Sequence, residues 1–83
     1  SDSIEILLEK HNKDPKNVKI LLKVAEYYFS SGEYESAFPF LLKNYPVDKE
    51  KVKKKLVYFF EALGNDHEAT KTYRKQLSSL LFS

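Results

Sequence analysis

The chain has 83 residues, 42% hydrophobic and 31% charged, with a formal charge of +2. That length suits one small domain, and the near-balance of charge gives no ground for a nucleic-acid partner. With no cysteine, disulfides, thiol chemistry and thiolate metal sites are excluded, and the longest apolar runs, such as 38–42, fall far short of the roughly 20 residues that cross a bilayer.

The N-terminus carries no signal-peptide pattern. A helical pattern begins within the first residues and methionine is missing altogether, so the chain is expected to be a piece of a larger protein, the alternative being removal of an initiator residue. Ser3 is a capping residue, and Ile4, Leu7 and Leu8 mark one face of a first helix. Asp14-Pro15 is a start signal, an acceptor for free N–H groups followed by a proline at the first helical position. It predicts a second helix over about 16–31. Val18, Leu21, Leu22, Ala25, Tyr28 and Phe29 form a wide apolar stripe there, and Ile20, Val24 and Tyr27 a narrower one. Two apolar sides predict a helix packed on both. Gly32 supplies a left-handed end.

A third helix is predicted over 34–43, closed by Asn44-Tyr45-Pro46. Pro39 falls inside it, where proline removes a backbone bond at a cost of roughly 3 kcal/mol. The helix is therefore either kinked or late in starting, near Ser36; the helical position needed by Ala37 favours a kink. Asp48 caps a fourth helix over 49–63, with Val52, Leu56, Phe59, Phe60 and Leu63 facing the core, and Gly64 ends it. Asp66 is expected to cap a fifth over 67–81, with Tyr73, Leu77, Leu80 and Leu81 inward. Short connections make successive helices antiparallel neighbours.

A shift of about 32 residues lays Ala25 on Val57, Tyr28 on Phe60, Gly32 on Gly64 and Ala37 on Ala69. The pattern divides the chain into a half unit (3–13), one helix hairpin (14–46) and a second, degenerate one (47–82). Each hairpin carries three adjacent aromatics, Tyr27-Tyr28-Phe29 and Tyr58-Phe59-Phe60. Three neighbours span about 200° of a helix. At least one per unit must pack on the adjoining unit or face the open surface.

Leu21, Val24, Ala25, Tyr28, Gly32 and Ala37, with Pro15 as the joining proline, resemble the tetratricopeptide repeat, whose period is 34 residues. The resemblance implies an all-α stack of antiparallel hairpins, about five helices wound as a right-handed superhelix. A narrower resemblance covers the C-terminal part. Phe60, Leu63 and Gly64, then Tyr73, Arg74 and Leu77, then Leu80, Leu81 and Phe82 are similar to the ending of thioredoxin-like proteins of the chaperedoxin (YbbN) type, and the GEYESA stretch (32–37) fits their first repeat. That likeness implies the C-terminal domain of a bacterial, cytoplasmic folding factor whose partners are unfolded clients and a chaperone or chaperonin, the thioredoxin fold lying outside this chain.

In such a stack the first helix of each unit lines the concave side. Lys19, Leu22, Glu26, Phe29 and Ser30 are expected there, with Lys51, Lys54, Tyr58 and Glu61, as a mixed apolar and charged groove for a peptide. The alternative is that Leu22 and Phe29 belong to the core and the charges only solvate the surface. No asparagine stands at these positions, which argues against the lysine-and-asparagine clamp that other repeat proteins use for acidic peptide ends. Leu80, Leu81 and Phe82 either form an exposed apolar tip for docking or self-association, or seal the end of the stack. The run KEKVKKK (49–55) holds five lysines. It is a solvated face or an attractor of acidic partners; without arginine or interleaved aromatics it argues against base recognition. His11 and His67 stand apart from any carboxylate pair or second histidine, so neither an enzyme nor a metal or cofactor site is expected. The function expected is protein binding; the rival is a structural spacer or self-association module.

Overall fold

The computed structural model describes residues 3–83. Its helices are α1 (Ile4–Lys13), α2 (Val18–Ser30), α3 (Tyr34–Lys43), α4 (Lys49–Leu63) and α5 (Glu68–Phe82), with a single 3₁₀ turn at Tyr45–Val47. No strand occurs among the described residues.

Local chemistry sets the helix ends. The Ser3 hydroxyl accepts from the Ile6 N–H at 3.3 Å, and an Asp48 carboxylate oxygen from the Lys51 N–H at 3.0 Å. Each satisfies a donor that the first turn leaves free. Two starts differ from expectation. The second helix begins at Val18, not Lys16, and its cap is Asn17, whose side-chain oxygen accepts from the Ile20 N–H at 3.2 Å. Asp14 instead ends α1, and its carboxylate accepts from the Asn17 side-chain amide at 3.1 Å. The fifth helix begins at Glu68, capped by His67, whose Nδ1 accepts from the Ala69 N–H at 3.0 Å. In both places the capable acceptor nearest the apolar run takes the position, ahead of the aspartate upstream.

Gly32 has φ +75°. Its N–H donates to the Phe29 carbonyl at 3.0 Å, and the Glu33 N–H donates to Tyr28 at 2.9 Å. This double closure of the last turn requires the left-handed residue. Gly64 ends α4 differently, at φ +92° and ψ 161°, with its N–H on the Phe60 carbonyl at 2.8 Å. That extended mirror-image region is open to glycine alone. The third helix runs from Tyr34 without a late start, and Pro39 lies within it on the exposed side.

Packing orders the helices in two layers. The second helix touches α1, α3 and α4, while α3 also meets α4 and α5. So α2 is the inner helix its two apolar stripes predict. The molecule measures 33 × 27 × 16 Å. The thinnest dimension matches two helices side by side, since axes 8–10 Å apart with a 2.3 Å Cα radius span about 13–15 Å. One continuous core runs through α2, α3, α4 and α5, around Leu21, Phe38, Leu41, Leu56, Phe59 and Phe60.

The aromatic triplets divide as their angular spread requires. Tyr27 and Tyr58 reach solvent, 38% and 56% exposed. Phe29 crosses to the next hairpin and lies face to face on Phe59, ring centres 3.9 Å apart. Phe38 stacks between Phe60 and Tyr73, at 5.2 and 5.0 Å. The 32-residue shift holds for the second helices, where Ala37 and Ala69 are both buried. It fails in the first helices. Ala25 is fully buried while Val57 is 38% exposed, and burial there follows a shift of 35: Leu21, Val24 and Ala25 onto Leu56, Phe59 and Phe60. Relative to its own glycine turn, α4 is rolled about its axis, which carries Val57 and Tyr58 outward.

Candidate functional site

Side by side in one layer, α2 and α4 leave a furrow between them. Two adjoining hollows occupy it, of about 310 and 300 Å³. Leu22, Lys55 and Tyr58 line both; Lys23 and Glu26 complete one, Lys51 and Lys54 the other. The positions follow from helical spacing. Leu22 and Glu26 are one turn apart on α2; on α4, Lys51 stands one turn before Lys54 and Lys55, and Tyr58 one turn after them. The walls are therefore an isobutyl group, a phenol ring and alkyl stems, with ammonium groups at the rim.

One ion pair crosses the furrow. Lys55 Nζ donates to Glu26 Oε2 at 2.8 Å. The two side chains are 26% and 43% exposed, so water screens the pair and its worth is about 0.2–1 kcal/mol. The same ammonium lies 5.3 Å from the centre of the Tyr58 ring and 5.9 Å from that of Phe59. Lys23, Lys51 and Lys54 form no ion pair among the described residues.

The furrow thus gathers Leu22, Glu26, Lys51, Lys54 and Tyr58 from the expected groove residues. Lys19 is exposed one turn before Lys23 and lines neither hollow. Phe29 is half-buried in the aromatic stack with Phe59, part of the packing and not of the lining. Glu61 lies on another side of α4, in a hollow of about 540 Å³ shared with Glu50, Lys53, Lys54, Val57 and Tyr58. The expected groove residues do not include Lys23 or Lys55. Lys55 stands in the lysine run 49–55, legible in sequence only as a solvated face or an attractor of acidic partners, because its own partner is 29 residues away.

At the C-terminal tip Leu80, Leu81 and Phe82 are 42%, 37% and 87% exposed. Leu80 borders a separate hollow with Leu42, Lys43, Gln76 and Ser79. Leu80 and Leu81 are therefore less inward than expected, Leu80 opening on this hollow between the ends of α3 and α5. Arg74 pairs with no acid among the described residues. Its Nη1 donates to the Asn65 side-chain oxygen at 3.1 Å, and the guanidinium carbon sits 5.3 Å from the Phe60 ring centre. It pins the α4–α5 turn and covers the core.

The histidines serve the fold. His67 is the α5 cap and meets Tyr34 edge-on at 5.2 Å. His11 is buried at the end of α1 with its ring edge-on to Phe40 at 5.0 Å. Among the described residues no group of three histidines or acids is placed to hold a metal ion.

The sequence profile of the tetratricopeptide repeat matches residues 1–82. No curated protein and no solved structure matches the chain at a significant level. Together with five helices packed in two layers, the match places the chain in the tetratricopeptide-repeat family, whose helix stacks serve protein–protein interaction.

Proposed function

We propose that the chain is a protein-binding domain that receives a partner in the furrow between α2 and α4. The observation that carries this reading is the joining of apolar walls, Leu22 and Tyr58, with a rim of lysines, of which only Lys55 is paired. Side chains of a partner bury against the walls while its polar groups meet the rim, the usual division between interface centre and edge. No bond is made or broken, and no cofactor is needed.

The parent protein is a thioredoxin-like co-chaperone of the chaperedoxin type, with this domain at its C-terminal end in the bacterial cytoplasm. The support is the run of Phe60, Leu63, Gly64, Tyr73, Arg74, Leu77, Leu80, Leu81 and Phe82 that resembles the endings of those proteins. The partner is then an unfolded client or a chaperone such as the chaperonin. Titrating the isolated chain against a chemically unfolded protein and against a chaperonin tests this; saturable binding to one of them at tens of micromolar is expected, and binding to neither overturns it.

The exposure of Phe82 favours a second reading, self-association through the tip. Sedimentation of the chain with and without residues 78–83 separates the two. A fall from dimer to monomer on truncation assigns the tip to self-contact; an unchanged monomer removes that reading.

A further inference from the structure

Four lysines line the furrow, Lys23, Lys51, Lys54 and Lys55, against a single carboxylate, Glu26. That carboxylate lines one hollow and is held by Lys55, which lines both. It occupies the place where an acidic group from outside would gain most: an ammonium beside the Tyr58 ring and next to the apolar wall of Leu22. We infer that Glu26 is a built-in competitor, and that the furrow selects an acidic partner segment whose carboxylate displaces Glu26 from Lys55.

The inference rests on the protein-binding reading of the furrow and names the chemistry of the partner. Charge complementarity sets that chemistry. A basic or neutral segment leaves Lys51 and Lys54 uncompensated, whereas carboxylates spaced by one helical turn, or by two residues of extended chain, meet both. An aliphatic side chain between the carboxylates lies against Leu22 and Tyr58. The weak, screened Glu26–Lys55 pair is cheap to exchange, so Glu26 sets a threshold. A lone carboxylate gains little over the bond it replaces, while a segment that also engages Lys51 and Lys54 gains two further contacts. Glu26 is thus a specificity-determining residue that acts through Lys55.

The test uses the ¹⁵N-labelled chain and a synthetic peptide, Glu-Glu-Leu-Glu-Glu, amidated at its C-terminus so that no terminal carboxylate contributes. Its lysine counterpart is the control. Amide shifts around Lys55 and Tyr58 give the dissociation constant and the location together. The acidic peptide is expected to bind at the furrow and the lysine peptide not to. Glu26→Gln, nearly the same shape without the charge, is expected to tighten acidic-peptide binding about two- to fivefold. The double variant Lys51→Gln/Lys54→Gln is expected to weaken it about tenfold with an unchanged circular dichroism spectrum. Equal binding of the two peptides, or unchanged or weaker binding by Glu26→Gln, overturns the inference. If the acidic peptide fails while an unfolded protein or chaperonin still binds, the inference falls and the broader protein-binding role stands. If those fail too, the protein-binding role falls with it.

Discussion

Phe59 is the side chain on which the two hairpins meet. It is fully buried, stacked on Phe29 and edge-on to Phe38 at 5.8 Å. Phe59→Ala removes the stack and opens a cavity, with an expected loss of about 3–5 kcal/mol in urea unfolding. In a chain of this size that is a large share of the total stability. The glycines give a sharper comparison. A Cβ on either Gly32 or Gly64 would meet nothing within 4 Å, so substitution there reports backbone conformation alone. Gly32→Ala is expected to cost about 1 kcal/mol, the ordinary penalty of the left-handed region. Gly64→Ala is expected to cost more, about 2–3 kcal/mol, because its extended mirror-image conformation is nearly closed to other residues. Thermal melts of the two variants rank them, and an equal loss would refute the distinction. Glycine itself is readable in a sequence as the end of a helix. Which of two positive-φ conformations it adopts depends on where the next helix must start.

Helix by helix, the same division appears between what neighbouring residues decide and what distant ones decide. The third and fourth helices occupy the spans their patterns predict, 34–43 and 49–63, because one strong signal stands at each boundary. The second and fifth start late because two acceptors compete, Asp14 with Asn17 and Asp66 with His67, and sequence order does not say which wins. The roll of α4 and the Glu26–Lys55 pair are beyond local reading, since both arise when hairpins from different parts of the chain dock. Pro39 tests how much α3 depends on its own backbone. It sits on the exposed side, so Pro39→Ala restores a donor for the Glu35 carbonyl without disturbing the core. A gain of roughly 1–3 kcal/mol is expected in urea unfolding; a loss would mean that the proline shapes the packing of α3. The joint between α3 and α5 has a pH signature. Burial, and secondly the Glu35 charge, push the Tyr73 hydroxyl above its ordinary value of 10.0. The folded chain keeps a proton that the unfolded chain releases, so this contribution to stability is complete below about pH 10 and is lost as pH rises through the folded value. Tyr73→Phe is expected to flatten the alkaline fall in stability measured by urea unfolding; an unchanged slope would discount Tyr73 as its source.

Across the whole molecule, cohesion is uneven. The core runs through α2 to α5, whereas α1 buries only Leu7 and His11, mainly against α2. Amide hydrogen exchange is therefore expected to be fastest in residues 4–13 among the helices and slowest in α2 and α4; equal protection of α1 would show a tighter attachment than its packing implies. The thickness of 16 Å bears on kinetics. A body only two helices deep has no interior chamber, so nothing has to swing aside before a visitor reaches Leu22 or Tyr58. Capture then proceeds at the pace of encounter, hastened by the lysine field and slowed by added electrolyte, while the lifetime of the complex is left to the few side chains that touch.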